Sequence, residues 1–230
     1  MSKSLKNVVN PDEIIREYGA DTFRLYEMFM GPLDVAKPWN TRDVPGLHKL
    51  CRRIWRLYVD EATGETSPAL TEDAGDEESL RILHKTIKRV THDIEAMKFN
   101  TAIAALFDFV NAMTPKKVRS RSVLDPFVLV VAPFAPHLAE ELWSRLGHGE
   151  SLAYERWPTY DEKYARDDDV EIALQVNGKL KSRVVVSADA DDATMEAAAR
   201  EDEKVASIIT GKTVRKVIVV KGRLVNIIAQ

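Results

Sequence analysis

Cysteine is nearly absent: Cys51 is the single one in 230 residues. No disulfide framework and no cysteine-based zinc site can be assembled from it, and such usage fits a reducing, cytoplasmic compartment. The five histidines are scattered, with no pair at helical spacing for a metal. A long hydrophobic run is also missing. The longest apolar stretch, residues 123–138, is interrupted by Asp125, Pro126, Pro133, Pro136 and His137, so nothing approaches the ~20 apolar residues of a membrane span. Met1-Ser2-Lys3-Ser4-Leu5-Lys6 leads into no apolar core, which excludes a secretory signal on that segment. Neither sign of charge dominates. Lys and Arg number 33 against 36 Asp and Glu, a net charge of −3, which excludes a chain that coats nucleic acid indiscriminately but leaves room for local basic faces.

What is present is a helical protein with a different tail. Asn10-Pro11-Asp12-Glu13 predicts a helix start and Gly19 its stop. A second short helix is expected over residues 21–30, followed by a connection punctuated by Pro and Gly to residue 46. Leu47, Leu50, Cys51, Ile54, Trp55 and Tyr58 then recur at three- and four-residue steps. Further helices are predicted from Leu80 to Met97, from near Asn100, over residues 123–133 (apolar nearly all round, hence central) and over residues 136–146. Residues 115–122 read as a basic loop. After Gly147 the pattern changes: residues 148–169, with Trp157-Pro158 and Asp167-Asp168-Asp169, read as a linker. From Val170 the period becomes two, Asn177-Gly178 signals a hairpin, residues 192–209 read as helix, and two strands follow over residues 214–220 and 224–228. The expected fold is mainly α: a bundle over residues 41–147, then a small α+β domain of ββαββ order over residues 170–230.

Met1-Ser2-Lys3-Ser4, followed by Asn7-Val8-Val9-Asn10-Pro11, resembles the lysine-Met-Ser-Lys-Ser signature loop of class I aminoacyl-tRNA synthetases, although Lys6 stands where many relatives have glycine. Tyr18-Gly19-Ala20-Asp21-Thr22-Phe23-Arg24-Leu25, Lys98-Phe99-Asn100-Thr101-Ala102, and Ala135-Pro136-His137-Leu138-Ala139-Glu140-Glu141-Leu142-Trp143 look like the anticodon-binding-type helical domain of the same subclass. Gln175-Val176-Asn177-Gly178-Lys179 and Val225-Asn226-Ile227 resemble the small terminal domain of bacterial leucyl-tRNA synthetases. The resemblance covers nearly the whole chain. It implies a C-terminal fragment beginning inside the signature loop, with residues 1–40 as loop remnant and connecting helices. It also implies Lys3 facing the ATP phosphates with Ser2 and Ser4 as supporting donors, since a mobile cation there stabilises charge that grows on the leaving pyrophosphate. The partners implied are tRNA(Leu), and in the full-length enzyme leucine and ATP with Mg2+. The fragment, as a monomer, is expected to bind RNA without catalysing. The same region of a valyl, isoleucyl or methionyl enzyme, or a helical interaction module with no RNA role, are the alternatives.

Basic faces supply the candidate RNA contacts. Lys49, Arg52, Arg53 and Arg56 share one side of a helix; Arg81, Lys85, Lys88, Arg89 and His92 share one side of the next. Lys116, Lys117, Arg119 and Arg121 crowd the basic loop. Lys179, Lys181 and Arg183 alternate along one strand and are expected to share its face, with Lys212, Arg215, Lys216, Lys221 and Arg223 adding charge nearby. Such rows can meet phosphates, and each also reads as a solvated surface; in the tail the RNA reading is preferred, because its acidic residues concentrate in residues 189–203. Trp55 and Trp143 read as core, and Trp39 and Trp157 as packing beside connections.

Overall fold

Asn10 caps the first helix in the computed structural model, which describes residues 9–166 and 169–230. Its side chain accepts from Asp12 N, Pro11 opens α1 (Pro11–Tyr18), and Gly19 at φ 88° ends it. Helices α2 (Ala20–Phe29), α3 (Val44–Tyr58), α4 (Glu77–Glu95), α5 (Phe99–Met113), α6 (Arg121–Val131) and α7 (Pro136–Arg145) follow. Their apolar stripes meet in one core that includes Leu25, Leu50, Ile54, Leu83, Ile87 and Leu106. As the all-round apolar pattern predicts, α6 is central: Val123, Leu124, Phe127, Val128 and Val130 are fully buried. Phe127 stacks on Phe109 with ring centroids 3.6 Å apart, and the Tyr58 hydroxyl donates to Leu124 O at 2.8 Å.

The connecting helices grip the bundle through two side chains of α2. Asp21 Oδ1 and Oδ2 accept from the His137 and Leu138 amides at 3.3 and 2.7 Å, capping α7 from another helix. Arg24 donates twice to Pro133 O, at 3.1 and 3.0 Å. The connection between α6 and α7 is thus held at the Pro133 carbonyl, and α7 at its first amides.

Two expectations are corrected within this first unit. Residues 148–165 are not a linker; they belong to the bundle's compact unit, which ends at Ala165. Ser151 bonds Glu140, the Trp157 indole donates to Thr91 Oγ1 at 2.8 Å, and the Asp161 amide donates to His84 Nδ1 at 3.0 Å. The short helix α8 (Glu162–Ala165) lies along α4, with Tyr164 stacked on His84. Asp167 and Asp168 of the acidic run lie outside the described residues. Residues 115–122 are likewise not a free basic loop. Arg119–Ser120 pairs in parallel with Leu70–Thr71, forming β2 and β1, and Lys116, Arg119 and Arg121 bond to neighbouring groups of the same unit.

The second unit, residues 166–230, has strands β3 (Asp169–Val176), β4 (Lys179–Ser187), β5 (Val214–Val220) and β6 (Leu224–Ala229) in the order β4-β3-β6-β5, with β3 and β6 parallel. Alternation puts Ile172, Leu174, Val176, Val225 and Ile227 on one face, against Met195, Ala199 and Val205. The predicted helix over residues 192–209 breaks into α9 (Asp192–Glu201) and α10 (Glu203–Ile209), because Asp202 leaves helical geometry to cap the second piece, accepting from Lys204 N and Val205 N. Asn177, at φ 51°, forms the expected hairpin turn with Gly178. Its amide group also exchanges two hydrogen bonds with the Ala229 backbone, and Asn226 Oδ1 accepts from Gly178 N.

The alternation of Lys179, Lys181 and Arg183 does not survive folding. Leu174 pairs with Ser182 but Gln175 pairs with Leu180, so Lys181 is an extra residue. Cross-strand partners share a face. Lys179 therefore sides with buried Val176, and Arg183 with Ala173 on the opposite face. A similar shift in β5 makes Arg215 the extra residue there.

Candidate nucleic-acid interface

Lys3, Ser2 and Ser4 lie outside the described residues, and their geometry is not part of the site built here. Among the described residues, no group of three or more His, Cys, Asp or Glu side chains can hold a metal ion, and no helix is long and apolar enough to cross a membrane.

The basic face of α3 divides into two rows one helical turn apart. Arg52 and Arg56 both turn to Glu61, at 3.2 and 2.7 Å. Hydrogen bonding from Arg56 is the main cause that lowers the Glu61 pKa. Lys49 and Arg53 instead line a groove of about 810 Å³. Among the described residues, Arg53 donates only to Thr114 Oγ1, at 3.3 Å.

Several other basic residues singled out from sequence are engaged with acids. Lys88 meets Glu162 at 2.9 Å, and Arg89 meets Asp108 at 3.0 Å. Lys85 also has a partner. Lys116 is held between Asp76 and Glu78, at 3.0 and 2.6 Å; burial opposes its charge, yet the hydrogen bonds to Glu78 and Asp76 outweigh burial and raise its pKa. Arg119 reaches the carbonyls of Met113, Leu57 and Thr114, and Arg121 reaches Asp125, Glu72 and Leu146 O. Lys117 stays exposed. In the second unit Arg183 pairs with Glu171 at 2.9 Å, whereas Lys179, Lys181, Arg215, Lys216 and Arg223 have no ion-pair partner among the described residues.

The opposite wall of the groove comes from the connection after α2, which the sequence reading passed over. Lys37 and Arg42 join Lys49 and Arg53 there, and Phe29, Leu47, Leu50 and Phe107 form the apolar floor. None of the four cations has an ion-pair partner among the described residues. The one acid among the described lining residues, Asp43, accepts from Asn40 Nδ2 at 2.7 Å. The connection is pinned in place: the Tyr26 hydroxyl donates to Asn40 O and accepts from Asn40 N, at 3.1 and 3.0 Å, and Trp39 sits edge-on to Tyr26 at 4.7 Å. Gly31, at φ 147°, leaves space that the Lys37 stem occupies; a Cβ there would stand 2.3 Å from Lys37 Cε. The available signal was Trp39 between Lys37-Pro38 and Asn40, an aromatic residue able to seat a cation-bearing connection on a helix.

The chain is thus a helical bundle bearing a basic groove, followed by a separate α+β unit. The family described as "Anticodon-binding domain of tRNA ligase" matches residues 76–197, and the chain belongs to this family. Among individual proteins, the chain is 54% identical over 228 residues to the leucine–tRNA ligase of Mycolicibacterium vanbaalenii, covering 99% of the chain and 23% of that protein. It is 52% identical over 231 residues to the leucine–tRNA ligase of Nocardia farcinica, covering 100% of the chain and 24% of the relative. Leucine–tRNA ligase 1 of Rhizobium johnstonii is 49% identical over 230 residues, covering 100% of the chain and 27% of that protein. The chain thus spans about a quarter of the length of these relatives. The LeuRS agnB2 of Agrobacterium radiobacter K84, solved in a ternary complex with tRNA and LeuAMS, superimposes with a TM-score of 0.77 at 27% identity, covering 100% of this chain and 31% of that one.

Proposed function

We propose that the chain is the tRNA-binding C-terminal portion of a leucine–tRNA ligase, a cytoplasmic enzyme that joins leucine to ATP and then to the 3′ end of tRNA(Leu). The observation that carries this is identity of about half the residues along the whole chain to proteins of that name. The unpaired cations support it physically: phosphate contacts supply most sequence-independent RNA affinity, and a cation already paired with a carboxylate has less to give. Within that reading, Lys49 and Arg53 of the bundle, and Lys179, Lys181, Arg215, Lys216 and Arg223 of the second unit, are the contacts to test first. Lys3, with Ser2 and Ser4, belongs to the loop that steadies the ATP phosphates, with Mg2+ contributed in the whole enzyme. The chain is read as a monomer.

The test is a titration of the chain with tRNA(Leu) at several salt concentrations. Binding at low salt should fall linearly with the logarithm of salt, each neutralised phosphate adding about 0.7 to 0.9 to the slope. Absence of binding at low salt would overturn the reading.

A further inference from the structure

From the groove between α2 and α3 we infer that this site takes one unpaired nucleotide of RNA. The nucleobase lies against Phe29 and Phe107, and the flanking phosphates lie on Lys49 and Arg53 at one wall and Lys37 and Arg42 at the other. The inference rests on the chain being an RNA-binding unit and adds which feature of the RNA this groove accepts.

Three observations converge on it. The first is charge: among the described residues, four cations without acid partners line one groove whose single acid is held by Asn40. Elsewhere on the bundle Arg52, Arg56, Arg89, Lys116 and Arg121 are each matched with carboxylates. A polyanion complements such a groove. The second is the floor. Phe29 is 37% exposed, and its ring centroid is 5.8 Å from that of Phe107 at a 48° tilt. Aromatic rings beside cations form the usual platform for unstacked bases, each worth about 1–3 kcal/mol. A duplex has its base faces closed by stacking and can offer only phosphates and hydroxyls. The third is preformation. Tyr26 and Trp39 fix the far wall and Gly31 makes room for the Lys37 stem, so the ordering cost on binding is small.

Fluorescence anisotropy of the complete chain with two labelled probes tests this: a single-stranded 12-nucleotide RNA and a blunt 12-base-pair RNA duplex. The Phe29→Ala variant should weaken single-strand binding by about 5-fold or more and leave duplex binding unchanged. The pair Lys49→Gln with Arg53→Gln should weaken both probes and lower the salt slope by roughly 1.5. RNA carrying 4-thiouridine should crosslink to Phe29 or Phe107 in the unaltered chain, a readout that does not depend on any variant folding. Unchanged single-strand binding by Phe29→Ala, with no crosslink to either ring, overturns the inference while tRNA binding stands. Displacement of both probes by polyglutamate at equal charge also overturns it, in favour of an acidic protein segment. Failure of every RNA to bind removes the functional reading as well.

Discussion

Asp21 caps a helix to which it does not belong: its two oxygens take the amides of His137 and Leu138, and Oδ1 also lies 2.8 Å from His137 Nδ1. The motif running from Pro136 to Trp143 therefore has a structural explanation. Its helix begins with amides satisfied from α2, a carboxylate only 12% exposed at a helix N-terminus where negative charge is favoured.

Replacing Asp21 by Ala should destabilise the bundle by about 1–2 kcal/mol, the usual cost of losing a capping side chain, with Asp21→Asn intermediate. Urea unfolding of the chain measures this; an unchanged midpoint for Asp21→Ala would remove Asp21 from the list of residues that hold α2 to α7.

His84 links pH to the docking of α8. Burial is the main cause lowering its pKa below the usual 6.5, against a smaller opposing effect of Asp161, and its neutral Nδ1 accepts from the Asp161 amide. A histidine depressed on folding contributes stability that is complete above its unfolded pKa and is lost as pH falls through the folded one. The Asp161 amide should exchange with solvent faster, relative to its intrinsic rate, at pH 5.5 than at pH 7.5. Equal protection at both values would contradict the assignment.

Cys51 should be slow to alkylate. Burial pushes its thiol up to about 11, with Thr22 Oγ1 4.0 Å from the sulfur, so the reactive thiolate is scarce at neutral pH. Iodoacetamide labelling at pH 8 should accelerate by at least about tenfold when the chain is unfolded in urea. Rapid labelling of the folded chain would refute this.

Asn177→Ala should weaken the second unit without touching the first, because the lost bonds join the hairpin turn to β6 and a positive φ disfavours alanine. A loss of about 2 kcal/mol is expected. Hydrogen exchange should rise across β3, β4 and β6 and stay unaltered in α4 to α6; uniform change across the chain would contradict separate cores.

The bundle was legible because its information is local. Asn10-Pro11 with Gly19 marks one helix, the Leu47-to-Tyr58 stripe marks another, and Asn177-Gly178 marks the hairpin. Residues 148–165 were illegible for the opposite reason: Trp157 meets Thr91 across 66 residues and Asp161 meets His84 across 77, and single polar contacts leave no periodic trace. The candidate site shows the same division. Spacing put Lys49, Arg52, Arg53 and Arg56 on one helix face, but only the folded chain sends Arg52 and Arg56 to Glu61 and Lys116 to Asp76, 40 residues away. Lys37 and Arg42 reach the groove because a tyrosine hydroxyl and a tryptophan ring seat their segment, and no alternation encodes that.

The irregular registers of β4 and β5 carry a further consequence. These two are the border strands of their sheet, where unpaired backbone groups invite a foreign strand to add on. Each border is kinked by one surplus residue, and in both cases that residue is a cation, Lys181 on one side and Arg215 on the other. A bulge bearing positive charge repels an identical neighbour and spoils the straight ladder it would need, so Lys181 and Arg215 keep copies of this small sheet from joining edge to edge.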